Sequence, residues 1–160
     1  MKPFAIILII LVLAAVVGIG WLYFNANLTV AFDSCIATDG ITQAEYFDQL
    51  KKQVTAGSFI GTIYGNNELL TADQYQFLTY TVTLDNHAFL RAETAEIRIT
   101  PMQGDVLMIS DQQESNISAG KKGTLSATIL TARNMHSVRE AIVTWYFWGI
   151  PFSEKLTLGQ

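Results

Sequence analysis

The sequence has few of the residues that cross-link small exported domains or carry out chemistry. Its 160 residues include one cysteine, Cys35, and only two histidines and three prolines. A single cysteine cannot form a disulfide within the chain, so a folded domain must depend on its apolar core. Two histidines and one cysteine, far apart in sequence, also make a poor set of zinc ligands. The composition thus excludes a disulfide-stapled fold and disfavours a zinc enzyme.

Positive charge is also scarce. Of the ten Lys and Arg residues only Lys2 lies within the first 24 residues, so beyond them nine cations face 14 acidic residues, a net charge of −5. The basic pairs are Lys51-Lys52 and Lys121-Lys122. Because nucleic-acid binding needs a basic face that neutralises phosphates, nucleic acid is not an expected partner. The same scarcity argues against tight docking on anionic lipid.

Residues 1–24 are predicted to be a transmembrane anchor. Phe4 to Phe24 contains no charged residue, and a helix of that length spans about 31 Å, close to the hydrocarbon core of a bilayer. Trp21 and Tyr23 near its end suit the membrane interface. Lys2 and the amino terminus precede the span, and the next cation is Lys51. This asymmetry predicts a single-pass protein of the cell membrane, with a cytoplasmic N-terminus and the C-terminal domain outside.

A cleaved secretory signal peptide is the alternative interpretation of this segment. Its apolar region would be Phe4 to Val17, and Gly18 and Gly20 would be the small residues before the cleavage site. Cys35 does not follow a lipobox, so a lipoprotein is not expected. Both interpretations export the domain.

Residues 25–57 are predicted to be a juxtamembrane connector that contains one short helix. Leu28 to Phe32 is apolar enough to be a short strand. Thr42 to Val54 begins with a capping-box pattern, and its apolar residues recur every three or four positions. Cys35, within this connector, is either an inert thiol or a link to a second chain near the membrane.

Residues 58–160 have the pattern of a β domain. Apolar and polar residues alternate, as in Gln76 to Leu84, and turn residues recur at even intervals. No strand is followed by a long helical repeat, which excludes parallel βαβ units. The pattern predicts an antiparallel immunoglobulin-like β-sandwich of about seven strands, with a small barrel as the alternative. Val138 to Trp148 is apolar on both faces, so it should be a central strand or have one face covered by the N-terminal helix.

One strand also carries a family resemblance. Tyr80-Thr81-Val82-Thr83-Leu84-Asp85-Asn86 has the pattern Y-x-V-x-L-x-N. It resembles a strand of small bacterial envelope proteins with an immunoglobulin-like domain, such as the FxLYD and LEA14-like families. Those proteins often pair a single N-terminal span with one exported sandwich, and the resemblance extends from Phe77 to about Leu158. It implies a fold and a location but no catalytic residue.

No catalytic, cofactor-binding or metal-binding residue is predicted. His87 lies in a turn and His136 in a polar loop, where both are expected to be solvated, and no serine stands in a G-x-S-x-G elbow. Asp111 to Glu114, even if joined by Asp105, lacks the alternating spacing and the central glycine of a calcium loop.

Paired carboxylates for glycoside hydrolysis are not predicted either. Glu93 and Glu96 should lie on different faces of one strand, so they would not converge on a substrate. The glycines from Gly57 to Gly65 lack the lysine and the following helix of a phosphate-binding loop.

Trp145-Tyr146-Phe147-Trp148 is the most unusual local feature. In a central strand its rings would alternate between the two faces, and aromatic side chains fill sandwich cores well. The other interpretation exposes Tyr146 and Trp148 on one face, as a platform that binds a protein or an envelope polymer.

Together these features predict a non-enzymatic, membrane-anchored extracytoplasmic β-sandwich with a binding or structural role at the cell envelope. An exposed sheet edge could add a strand from a partner. The alternatives are a small accessory subunit of a membrane complex and, less favoured, an enzyme of unrecognised type. No cofactor is predicted. The expected partners are the membrane, through residues 4–24, and a protein or envelope polymer.

Overall fold

The computed structural model describes residues 2–25, 27–65, 68–109 and 115–159. It contains an N-terminal helix, α1 (Lys2–Phe24), and a β-sandwich that carries a second helix, α2 (Ala44–Thr55). The strands are β1 (Leu28–Asp39), β2 (Gly61–Ile63), β3 (Tyr75–Asn86), β4 (Ala92–Ile99), β5 (Asp105–Ile109), β6 (Ser115–Ile117), β7 (Lys122–Ala132), β8 (Arg139–Phe147) and β9 (Ile150–Leu158). This confirms a mainly β fold with an apolar N-terminal helix and one short helix.

The described strands form two antiparallel sheets that do not close on each other, which is the arrangement of a sandwich rather than a barrel. The five-stranded sheet has the order β1-β3-β7-β5-β2, and the four-stranded sheet has the order β6-β4-β8-β9. The described residues thus contain nine strands instead of about seven. The two additional strands are β1, which lies in the segment predicted to be a connector, and β6, which has only three residues, too few to show an alternating pattern in the sequence.

The main core lies between the two sheets. It contains the even-numbered residues of β3 from Leu78 to Leu84, which face Val143, Trp145 and Phe147 of β8. β8 pairs with β4 on one side and β9 on the other, which confirms its predicted central place. The strand ends at Phe147, one residue earlier than predicted, because Trp148 and Gly149 form the turn into β9.

Helix α2 packs on the outer face of the five-stranded sheet. Its buried residues, Phe47, Leu50 and Val54, meet Phe77, Leu107 and Leu130 in a second apolar cluster. The predicted amphipathic helix is therefore present, over Ala44–Thr55 rather than Thr42 to Val54. The capping-box prediction is wrong: the helix follows the 3₁₀ turn Gly40–Gln43, and its N-terminal residue makes no capping side-chain hydrogen bond.

The segment predicted to be a connector contributes a long strand to the sandwich. β1 runs beside β3 from the Leu28–Asn86 pair to the Asp39–Gln76 pair. A bulge between Val30 and Phe32 shifts its register, which interrupts the simple alternation and hides the strand in the sequence. β1 is also an edge strand, so much of it stays exposed. The folded domain thus begins at residue 28, and only residues 25–27 separate it from α1.

Helix α1 is long and apolar enough to cross a membrane, although a signal sequence would meet the same criterion. Pro3 is tolerated because it lies in the first turn. The helix ends at Phe24, and Asn25 caps it by donating both its backbone N–H and its side-chain amide to the Trp21 carbonyl, at 3.1 and 2.8 Å. None of its apolar window, Pro3–Trp21, is buried by the domain.

Candidate functional site

The structure divides the aromatic run between the core and two other places. Trp145 and Phe147 are buried between the sheets. Tyr146 is half-buried on the outer face of the four-stranded sheet, where it lies opposite Glu93 of β4. Trp148 lies in the β8–β9 turn, with 68% of its surface exposed. The two residues of the predicted binding face are therefore on a sheet face and in a turn, not side by side on one strand.

The prediction that the two β4 glutamates lie on different faces is wrong. A bulge at Thr94, where φ is 48°, shifts the strand register by one residue. As a result Glu93 lies opposite Tyr146 and Glu96 opposite Thr144, so both glutamates are on the outer face. Both are exposed. Neither has the desolvated setting that a catalytic acid needs.

The histidines lie at opposite ends of the sandwich. His87 is in the β3–β4 loop, exposed, with its Nε2 4.0 Å from an Asp85 oxygen. His136 is exposed in the β7–β8 loop. Within the described residues, no group of three or more His, Cys, Asp and Glu side chains is placed to hold a metal ion. Residues 111–114, the weak calcium-loop candidate, lie outside the described residues.

Asp105, grouped with that loop in the sequence, instead forms a buried ion pair that joins the two sheets. Arg139 of β8 donates from Nε and Nη2 to the two Asp105 oxygens, at 3.0 and 2.8 Å. Its Nη1 donates to the carbonyls of His136 and Val138. Both charged side chains are completely buried. The pair links the five-stranded sheet to the four-stranded sheet, as an inter-sheet disulfide does in antibody immunoglobulin domains.

Hydrogen bonding keeps Asp105 ionised in this apolar setting. Burial alone raises the pKa of its carboxyl, but the hydrogen bonds from Arg139 and from the Met102 N–H outweigh burial and lower the pKa below its usual value. Sequence reasoning missed this pair because Asp105 and Arg139 are 34 residues apart and on different strands. The satisfied geometry marks it as a structural element.

Cys35 is part of the sandwich rather than of a free connector. It is half-buried in β1, opposite Tyr80, and packs against the main core. Burial raises the pKa of its thiol, although a hydrogen bond with Tyr80 opposes that shift. A thiol that is partly shielded and mostly protonated is a poor nucleophile. The structure therefore favours the inert-thiol interpretation over a link to a second chain.

One end of the sandwich lies beside helix α1, and we call it the proximal end. It comprises residues 85–91 between β3 and β4, residues 118–122 before β7, and the turn at residues 148–149. The strand pairs place these segments together: Leu28, at the start of β1, pairs with Asn86, and Glu93 near the start of β4 pairs with Tyr146. Ring contacts join the helix to this end, with centroids 5.5 Å apart for Trp21 and Phe89.

Asn86 organises the proximal end from a fully buried position. Its side-chain amide donates to the carbonyls of Leu90 and Ile117, at 2.8 and 2.9 Å, and its Oδ1 accepts from the Ala88 N–H. Its backbone bonds with Gly120 and Lys121. This is the asparagine of the Y-x-V-x-L-x-N pattern, for which the sequence alone suggested no role. It holds the loop that carries Phe89 and the turn that carries Lys121.

A second surface lies on the five-stranded sheet, beside the part that α2 covers. Phe32 and Ile36 of β1 are each 62% exposed there. We call this surface the hydroxyl face, and it consists of Phe32, Ser34, Ile36, Thr79, Thr81, Thr83, Thr124, Ser126 and Thr128. None of these nine side chains is charged, and the Thr79 and Thr128 hydroxyl oxygens lie 3.0 Å apart. It adjoins the free edge of β1.

No protein-family model matches this chain, and no curated protein matches it. The resemblance in β3 stays a prediction, and the residues themselves must support any functional assignment.

Proposed function

We propose that the chain is a single-span membrane protein that holds a non-catalytic β-sandwich outside the cytoplasm, next to the bilayer, as a binding module. The exposure of α1 supports this most directly. Its apolar residues face outward along its whole length, and none of Pro3–Trp21 is buried, although Phe89 contacts Trp21. Each such side chain gains about 1.5–3 kcal/mol on leaving water, so a lipid environment satisfies the helix where water does not.

Charge asymmetry supports the proposed orientation. Lys2 and the amino terminus lie before the helix, and no cation follows until Lys51. Positive charge near a span is retained in the cytoplasm. We therefore propose that the sandwich lies outside.

The anchor and its orientation are tested in one bacterial expression experiment with the full chain. A Cys35→Ser, Ser153→Cys variant has one exposed thiol on β9, and a membrane-impermeant maleimide should label it on intact cells. The protein should also resist carbonate extraction and keep its full mass. If carbonate releases the protein and its chain is shorter, a signal peptide has been cleaved. If the maleimide does not label the thiol on intact cells, the proposed orientation is contradicted.

The binding role is assigned to the edge of β1 and the hydroxyl face beside it. β1 has 12 residues and pairs with β3 alone among the described strands. An extended protein segment can add to such an edge through main-chain hydrogen bonds. Phe32 and Ile36 offer apolar contacts beside that edge, and the adjoining threonines offer hydroxyl groups without charge. The chemistry favours an uncharged, extended protein segment as the partner.

Site-specific crosslinking in cells tests this assignment. A photoreactive residue at Ile36 should yield an adduct with a partner protein, whereas one at Thr157, on the edge strand of the other sheet, should not. Phe32→Thr with Ile36→Thr should weaken binding of the captured partner more than tenfold, since about 1.5–3 kcal/mol is at stake for each buried apolar side chain. Ile41→Thr, at a similarly exposed position outside the hydroxyl face, is the control. If the protein is exported and labelled but gives no adduct at position 36, the binding role is refuted and the anchoring proposal stands.

A further inference from the structure

We propose that the proximal end of the sandwich is a membrane-seating surface: Phe89 and Trp148 enter the bilayer interface, and the cations beside them contact anionic phospholipid headgroups. The inference rests on the proposed anchoring of α1 in the same bilayer. It adds a second membrane contact, made by the folded domain itself.

The length of the connection confines this end to the bilayer surface. Residues 25–27 are all that separates Phe24, the last residue of α1, from Leu28 in β1. The four Cα–Cα steps from Phe24 to Leu28 reach about 14 Å even when fully extended. The proximal end therefore lies at or just above the headgroup layer of a bilayer that holds α1.

The ring contacts set the depth of the surface. Phe89 lies against Trp21, three residues before the end of α1, and Tyr23 lies against Phe152 at a centroid distance of 5.3 Å. Three residues of helix correspond to about 4.5 Å along its axis. Phe89 thus reaches below the end of the helix, to the level where amphipathic rings meet the membrane interface. In spite of its contact with Trp21, 72% of the Phe89 surface is exposed.

Trp148 is presented by a turn that would be better formed by another residue. Phe147 pairs with Ile150, and the two turn residues both have positive φ, 51° for Trp148 and 75° for Gly149. This is a type I′ turn, which prefers Asn-Gly. A bulky side chain in the left-handed region costs about 1–2 kcal/mol. A strained, exposed indole at the end of the domain that faces the helix suits an interfacial anchor.

Charge at the proximal end is opposite to that of the rest of the domain. Arg91, Lys121 and Lys122 are exposed there, and Asp85 is the one acidic residue in its three segments. The remaining exported chain has six cations and 13 acidic residues, the nearest being Glu93 in β4. The overall net charge of −5 hides this polarity. An acidic domain with a basic end is steered with that end toward anionic lipid.

Fluorescence quenching by lipid-attached quenchers, measured on the full-length chain, tests the proposal. Single-cysteine variants in a Cys35→Ser background are labelled with a small fluorophore and reconstituted in phosphatidylcholine vesicles containing phosphatidylglycerol and doxyl-labelled lipid. Labels at Phe89→Cys and Trp148→Cys should be quenched, whereas one at Ile41→Cys, at the far end of the sandwich, should not. A label at Leu11→Cys reports α1 itself.

The controls separate this proposal from the anchoring that it assumes. If the label at position 11 is not quenched, the anchoring proposal fails. If position 11 is quenched while positions 89 and 148 behave like position 41, the membrane-seating surface is refuted and the anchor stands.

Charge reversal supplies an independent readout. Arg91→Glu with Lys121→Glu should reduce the ratio of seated to lifted domain by roughly fivefold or more for each cation on phosphatidylglycerol vesicles. The effect should shrink on pure phosphatidylcholine. Lys52→Glu with Lys155→Glu makes the same change in net charge away from the proximal end and should leave quenching unchanged. Equal losses in both variants would overturn the headgroup contact.

Discussion

At the scale of single residues, two side chains with an unusual backbone conformation differ in what that conformation does for the fold. Trp148 and Thr94 both have positive φ although neither is glycine. Thr94 forms the β4 bulge that brings Glu93 and Glu96 to one face. Trp148 occupies a turn position where a smaller residue would be more stable. Trp148 is therefore the clearer case of a residue whose backbone conformation costs stability.

Trp148→Asn should stabilise the protein. It creates the Asn-Gly sequence that a type I′ turn prefers and relieves about 1–2 kcal/mol of left-handed strain. Urea unfolding of the two full-length proteins in the same detergent would measure the gain. Unchanged or lower stability would show that Trp148 makes packing contacts that compensate for its backbone conformation.

Asn86→Asp should destabilise the protein more than a surface substitution does. The new carboxylate would face the carbonyls of Leu90 and Ile117, which now accept from the amide. Leaving these buried groups without a donor costs about 1–3 kcal/mol. The midpoint of urea unfolding would report the loss, with Asn116→Asp, an exposed position nearby, as the control. Equal midpoints would mean that Asn86 does not organise the proximal end.

At the scale of elements, alternation in the sequence was sufficient for the strands with one buried face. β3 alternates from Leu78 to Leu84 and was predicted in place. β8 was also predicted in place, although its sequence is apolar on both faces. β1 was predicted only over Leu28 to Phe32 because its bulge and its exposed edge break the alternation. The shift of Glu96 to the face of Glu93 has the same origin. A bulge adds one residue without changing composition, so periodicity cannot reveal it.

The surfaces were harder to predict than the strands. Tyr146 and Trp148 are two residues apart, which in a continuous strand would place them on one face, but the turn begins at Trp148. Arg91 and Lys121 are 30 residues apart in the sequence, and only the packing of the two sheets, one with β4 and one with β3 and β7, brings their segments to one end. Long-range register, rather than local pattern, decides which side chains share a surface.

The link between the two sheets depends on both members of the buried ion pair. Arg139→Met should destabilise the protein by about 3–5 kcal/mol, because Asp105 would be left as an uncompensated buried charge. The double variant Asp105→Leu, Arg139→Met should recover most of the loss, since apolar replacement of a buried pair is often neutral. Urea unfolding of the three proteins forms the double-mutant cycle. A double variant no more stable than Arg139→Met would contradict this account.

At the scale of the whole molecule, the same pair contributes to acid stability. The folded pKa of Asp105 lies below its unfolded value of about 3.9. Its contribution is therefore fully present above that value and is lost as pH falls from about 4 through the lower folded pKa. The unfolding free energy of the native chain should fall through this range. The Asp105→Leu, Arg139→Met variant should show a shallower decline, and identical pH profiles would exclude a role for Asp105.

The molecule as a whole is polarised along the direction of its strands. The apolar helix, the exposed rings of Phe89 and Trp148 and three exposed cations are at one end, and most of the acidic residues lie elsewhere. The composition, averaged over the chain, indicated only a mildly acidic domain that avoids anionic lipid. The fold separates the charges in space, so the average no longer describes the proximal end.

The position of β1 also limits how far from the bilayer surface a partner can bind. The strand begins three residues after the helix and runs away from the proximal end for 12 residues, or about 40 Å. A segment paired along it would lie within that distance of the bilayer. A partner anchored in the same membrane would be confined to this thin layer, so its effective concentration near β1 would be high. Even a weak strand-to-strand contact would then be occupied for much of the time.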